Sequence, residues 1–275
     1  GGLGVPVLNA THRQQWVGFE GAPSTQAISF HTPVFANRVG LGLTVINDRI
    51  SYFNSSSINF AYSYRLKIKK SLLSFGLQGS YRQLFNQWEQ VSIVHNDDPN
   101  VPKTKEVIPS FNAGTGLYFE SPTIFLGVSV PHILKKGLSK NNQGILSDYT
   151  GRLPHFYFFI GSFAELNKKF TLRVAALLKT TRHSPPNFDT NIGVGYIDKV
   201  WLSTTYRWNL SKETNFGNTL DLNVQYVLNS KLTIGIAYGF IMTPLRNHSL
   251  GTGELMLQYS FKGGEKDIRN PRFFN

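Results

Sequence analysis

The sequence predicts an all-β fold: a transmembrane antiparallel up-and-down β-barrel of about fourteen strands, with short periplasmic turns and longer extracellular loops. Three observations point there. Apolar residues alternate with polar or small ones from end to end of the chain, the period of strands with one apolar face. Only 16% of the 275 residues are charged, against roughly 25% in a soluble domain, yet no run of about 18 apolar residues offers a membrane-crossing helix. The connections are tight at every second position and mostly long at the others.

The elements follow in order. Weak alternation marks 5–17 and 25–34. Over 39–45, Val39, Leu41, Leu43 and Val45 alternate with Gly40, Gly42 and Thr44. Over 58–68, Ile58, Phe60, Tyr62, Tyr64, Leu66 and Ile68 face away from polar or small partners. Segments 72–83, 109–119, 122–130 and 154–164 continue the pattern. Over 170–178, Phe170, Leu172, Val174, Ala176 and Leu178 oppose Thr171, Arg173, Ala175 and Leu177. Segments 188–197 and 199–209 follow. Over 220–228, Asp221, Asn223 and Gln225 share one face. The clearest case is 232–240, where Leu232, Ile234, Ile236, Tyr238 and Phe240 oppose Thr233, Gly235, Ala237 and Gly239. The last strand places Leu255, Leu257, Tyr259 and Phe261 together.

A soluble sandwich would give its second face Lys, Glu and Gln. Here that face is small and nearly chargeless, so the greasy face is expected to meet lipid and the small face to line a lumen, with Arg65, Lys67, Arg173 and Arg207 turned inward. Tight connections occur at Lys69-Lys70-Ser71, Glu120-Ser121-Pro122, Asn167-Lys168-Lys169, Asp198-Lys199 and Asn229-Ser230-Lys231. Longer ones span 84–108, 131–153, 210–218 and 241–249. This sorting by parity suits a barrel whose termini both lie on the periplasmic side. Trp16, Tyr52, Trp88, Tyr118, Trp201 and Trp208 are expected in aromatic girdles at the two interfaces. The barrel is assigned to 1–262 and a periplasmic tail to 263–275. The start, Gly1-Gly2-Leu3-Gly4, has neither a charged nor an apolar signal region, which fits a cleaved leader or a piece of a longer chain.

Chemistry is sparse. There is no cysteine, so thiolate metal sites and cysteine nucleophiles are excluded. The seven His residues show no metal-ligand spacing. Gly40-Leu41-Gly42 and Gly114-Thr115-Gly116 lie inside strands and so are not phosphate loops. Ser29 and His31 share a strand face, the arrangement an outer-membrane lipase would need, but it is the less apolar face. Asp97-Asp98 reads as a solvated acidic turn rather than a Ca²⁺ loop. The formal net charge is +12, yet basic residues are scattered singly or in pairs, which argues against nucleic acid. The reading is a non-enzymatic protein with no cofactor.

Four motifs carry a resemblance across essentially the whole chain. They are RQQWVGFEGAPSTQ at 13–26, VGLGLTVIND at 39–48, GVSVPHIL at 127–134, and LRNHSLGTGEL at 245–255 leading to Tyr259 and Phe261. In this order they resemble the PorP/SprF family of the type IX secretion system of Bacteroidota, and Pro271-Arg272-Phe273-Phe274 is similar to the family's tail. The family's upstream segment, rich in Asn, Pro and aromatics, falls before the first residue here. The resemblance implies a multi-pass barrel in the outer membrane of a Gram-negative bacterium. It also implies partners: the C-terminal domain of a large secreted adhesin of the gliding machinery, and type IX components including periplasmic peptidoglycan-associated proteins. The outer loops are the expected site, with Trp16, Phe19, Glu20, Pro23, Trp88 and Tyr149 as candidate partner-binding residues. Exposed apolar groups on ordered loops mark interfaces. A transporter or channel for a small solute is the competing reading.

Overall fold

The structure, a computed structural model, describes residues 4–86, 106–134, 153–182, 184–209 and 219–261. Every expected segment is a strand. They are β1 (Val7–Gln14), β2 (Ser24–Val34), β3 (Val39–Ile50), β4 (Phe53–Ile68), β5 (Ser71–Asn86), β6 (Glu106–Glu120), β7 (Ile124–Val130), β8 (His155–Glu165), β9 (Phe170–Thr181), β10 (Ser184–Tyr196), β11 (Val200–Asn209), β12 (Thr219–Val227), β13 (Leu232–Ile241) and β14 (Thr252–Ser260). Each pairs with its chain neighbour, and β14 closes on β1 from Val7↔Ser260 to Gln14↔Gly253. The result is a closed antiparallel barrel of fourteen strands. A short 3-10 turn, Pro244–Asn247, interrupts the connection after β13.

Registers carry the outward face from strand to strand. One row runs Ala10, Ile28, Val45, Ile58, Tyr81, Phe111. Another runs Trp208, Phe188, Leu178, Phe158, Val128. Two residues above the first row, the same strands give His12, Gln26, Asn47, Ser56 and Gln83. There Ser56 donates to Asn47 Oδ1 at 2.9 Å. The switch from apolar to polar within one step marks the outer edge of the hydrocarbon belt. On β13 the greasy face is exposed, with Ile236 at 58%, while Thr233, Gly235 and Gly239 on the other face are buried. Exposed apolar groups on a closed sheet belong against lipid.

Two girdle expectations need correction. Trp201 is 3% exposed and faces the lumen, its ring lying flat over Gly195, where an added Cβ would come within 2.6 Å of it. Tyr118 also shares the inward parity and stands over Gly127. Both residues sit on the alternate face from Leu202 and Leu117, which are 56% and 44% exposed, so strand parity overrides the interfacial preference of aromatic rings. Trp208 does face outward, at 42% exposure. Trp88 and the 263–275 tail lie outside the described residues. The parity of connections has two exceptions at the outer end: 51–52 and 182–183 are also tight. At the first, Ser51 turns at φ 51°.

Ile236→Arg, at mid-belt, is expected to lower the free energy of folding into liposomes by about 2–4 kcal/mol. Asn223→Arg, lumenal on the neighbouring strand, should change it far less. Urea titration of tryptophan fluorescence measures both.

Candidate functional site

Two regions concentrate polar or exposed aromatic groups: the lumen and the outer rim. The lumen has two chemically different walls. On β3 to β6 it is lined by small hydroxyls and amides around a cavity of about 310 Å³, among them Thr44, Ser57, Asn59, Gln78 and Ser110. Thr25 donates to Asp48 at 2.7 Å, and Arg82 donates to Ser55 at 2.6 Å. On β9 to β14 the wall is charged. Lys179 pairs with Asp189 at 2.6 Å and Arg207 with Asp221 at 2.8 Å. Arg13 stands in register with Glu254 and within electrostatic reach of Arg207, Asp221 and Asp189. Ion pairs in a barrel interior hold strands at a set distance while keeping polar groups out of lipid.

Below that network the β7 to β11 side of the lumen is packed. Arg173 is 4% exposed, donates to Asn191 Oδ1 at 3.2 Å, and lies 5.6 Å from the centre of the Trp201 ring. Asn191 donates onward to Thr205 at 2.8 Å. Phe125, 3% exposed, stacks on Phe159 and meets the tilted ring of Phe163, each at 5.1 Å, and covers Gly161. Glycine is required there because any Cβ would overlap the Phe125 ring.

The chain also turns into the lumen after β7. Pro131 passes over Gly114, where a side chain would collide with its carbonyl. Ile133 N–H donates to Ala113 at 2.8 Å. The Asn112 amide takes both main-chain groups of Leu134, donating to its carbonyl at 3.0 Å and accepting its N–H at 3.1 Å. A lumenal side chain thus stands in for a β-ladder partner. The inward turn explains why β7, with 7 residues, is shorter than its neighbours of 15 and 11. Nothing in the 127–134 sequence pattern signals it.

At the outer rim, residues 15–23 form an ordered loop. Gln15 N–H donates to Pro23 at 2.9 Å, Phe19 N–H to Trp16 at 3.0 Å, and Ala22 N–H to Phe19 at 3.2 Å. Val17 exchanges main-chain bonds with the opposite connection, donating to Gly251 and accepting from Leu250, both at 2.9 Å. Ser51 N–H donates to Gly21 at 2.9 Å. The left-handed φ values of Trp16, Gly18, Gly21 and Gly251 make these close turns possible. Tyr238 donates its hydroxyl to the Leu250 carbonyl. The outward product is a fixed apolar tip: Phe19 is 49% exposed, packs edge-to-face on Trp16 with ring centres 6.5 Å apart, and lies in the same tied-down rim as Leu250, 72% exposed.

Of the candidate partner-binding residues, the structure brings Trp16, Phe19 and Glu20 onto this tip, with Phe19 and Glu20 exposed. Pro23 is buried beneath it, and its carbonyl is already engaged. Trp88 and Tyr149 lie outside the described residues. The only sequence signal for Leu250 is its place in the motif at 245–255. Ser29 and His31 face the lumen, in register with Thr44 and Gly42.

Comparison with known proteins bears on this arrangement. The sequence profile described as "Type IX secretion system membrane protein PorP/SprF" matches residues 4–259. No curated protein matches the chain in sequence. Among solved structures the fold is similar to the Ralstonia pickettii toluene transporter TbuX, with TM-score 0.53, 9% identity, and 94% of this chain and 89% of that one covered. It is also similar to a Pseudomonas aeruginosa FadL homologue, with TM-score 0.51, 11% identity, and 94% and 90% covered. At these identities the likeness concerns the barrel alone.

Gly251→Val puts a β-branched residue at φ 110°, within 2.7 Å of the Gly239 carbonyl. Strain of about 1–3 kcal/mol is expected to release the 15–23 loop. Limited proteolysis should then cut near Phe19 several-fold faster, while the barrel keeps its heat-modifiable migration in SDS gels.

Proposed function

The chain belongs to the PorP/SprF family of type IX secretion system membrane proteins and sits in the outer membrane of a Gram-negative bacterium, and from that premise we propose that it anchors or helps export a cell-surface adhesin by engaging the adhesin's C-terminal domain at the outer rim. The observation that carries this reading is the 15–23 loop. It is tied by main-chain hydrogen bonds to its own ends, to residue 51 and to 250–251, yet it holds Phe19 out in water. An aromatic group already fixed in place loses little conformational freedom on binding, which is the property of an interface anchor. Glu20 beside it supplies a charge for selectivity, and Trp88 and Tyr149, outside the described residues, remain the candidates on the long loops. The barrel contributes a rigid seat and takes no chemical step.

The competing reading, a transporter or channel for a small solute, has the 310 Å³ lumenal cavity in its favour. The packed layer of Arg173, Trp201 and Phe125 favours a sealed barrel instead. In planar bilayers the purified protein is expected to show no steady conductance. A stable open pore would support the solute reading.

The direct test is capture of an adhesin C-terminal domain by the detergent-solubilised chain. Phe19→Asp is expected to weaken capture about tenfold, or roughly 1.4 kcal/mol, with barrel stability unchanged because the side chain is exposed. Trp88→Asp tests the second loop in the same assay. Undiminished capture by both variants would remove the rim from the account.

A further inference from the structure

The periplasmic end of the barrel has a composition that the secretion reading does not use. Its six turns all lie within the described residues: 35–38, 69–70, 121–123, 166–169, 197–199 and 228–231. Five of them pair an exposed bulky apolar residue, in the turn or at its edge, with exposed cations. Phe35 sits beside Arg38, Ile68 beside Lys69 and Lys70, and Leu166 beside Lys168 and Lys169. Ile197 sits beside Lys199, and Leu228 beside Lys231. Within one residue of the turns that is seven basic side chains against three carboxylates, Glu120, Glu165 and Asp198. Among the described residues none of the seven has an ion-pair partner.

Backbone conformation supplies a second observation. Phe35 turns at φ 48° and Ile197 at φ 49°, the left-handed region where glycine or asparagine is the low-energy choice and a β-branched residue is an outlier. Phe35 is 79% exposed, so its ring gains little from contact within the chain, although its carbonyl accepts Arg38 N–H at 3.1 Å. Bulky apolar groups held outward at a strained turn, each next to a long cationic side chain, match the chemistry of a lipid interface. The apolar group inserts at the level of the acyl chains and the cation reaches the phosphates. The five turns are distributed round the barrel, which suits a continuous lipid annulus better than a single protein partner.

We propose that this rim binds anionic phospholipid headgroups of the inner leaflet. The barrel thereby gathers an anionic lipid shell around its periplasmic end, through attraction that weakens with salt.

The test uses the whole chain, purified in mild detergent and exchanged into nanodiscs made from phosphatidylethanolamine with 20% phosphatidylglycerol, roughly the composition of a weakly anionic leaflet. Lipid retained on extraction is counted by native mass spectrometry. Wild type is expected to raise the phosphatidylglycerol-to-phosphatidylethanolamine ratio of the retained lipid about fivefold over that of the bulk, and to lose most of that enrichment in high salt. A variant with Lys69, Lys70, Lys168, Lys169, Lys199 and Lys231 all changed to Gln should retain the two lipids in bulk proportion. A control neutralising Arg49 and Arg246 at the opposite rim should behave as wild type. Equal retention of both lipids by wild type would overturn the proposal, and so would enrichment unchanged in the six-site variant. If the six-site variant does not fold, the wild-type enrichment and its salt dependence still decide. Retention of an acidic periplasmic protein without lipid enrichment would assign the ring to a protein partner and likewise refute it. The outcome is independent of adhesin capture, because it concerns the other end of the barrel.

Discussion

Every feature of this molecule depends on satisfying backbone hydrogen bonds where no water is present. In hydrocarbon an unpaired N–H or C=O costs several kcal/mol, so a sheet that crosses a membrane must have no free edge. The eight register pairs between β1 and β14 supply the closure. Once the cylinder is shut, side-chain chemistry is free to divide between two solvents. The outward rows become greasy, and the inward rows take the serines, amides, glycines and ion pairs that lipid would reject. The scarcity of charge and the strict alternation in the sequence are two consequences of that one constraint.

Closure also explains the interior. A barrel of fourteen strands encloses more volume than small residues can fill, and the chain fills part of it in two ways. Aromatic rings lie flat over glycines, Phe125 over Gly161 and Trp201 over Gly195. The chain after β7 folds inward and is held by Asn112. Both devices stiffen the wall from within, and the charged network on β9 to β14 ties neighbouring strands across their lumenal faces. A rigid body of this kind is a suitable base for an aromatic loop that must keep its shape in water, so the outer rim inherits its order from the belt below.

The fold was legible because strand parity is written locally. Leu232 to Phe240 need no knowledge of their neighbours to declare an apolar face. The short turns were legible for the same reason, since Lys69-Lys70 and Asn229-Ser230-Lys231 interrupt the alternation. The lumen was less so. Trp201 reads as an interfacial residue until its strand is set in register, which places it over Gly195. The inward turn at Pro131 was not legible at all, because it depends on a bond from Asn112, 22 residues away from Leu134. At the rim, Phe19 and Glu20 are legible from their Gly- and Pro-bounded motif. Pro23 carries the same local signal but is buried in the folded loop, where its carbonyl accepts Gln15 N–H. Leu250 joins the site through pairing with Val17, a contact remote in sequence.

The central claim is that lipid, and not another protein layer, solvates the bulky side of the strands. Spin labels placed singly at positions 232 to 240 of the reconstituted protein test it most directly. Collision with oxygen, which dissolves in the acyl region, should peak at 234, 236 and 238. Collision with a water-soluble nickel complex should be low at those three positions. A stretch in which the two reagents rise and fall together, or in which oxygen shows no alternation, would contradict the account and leave the apolar rows facing something other than a bilayer.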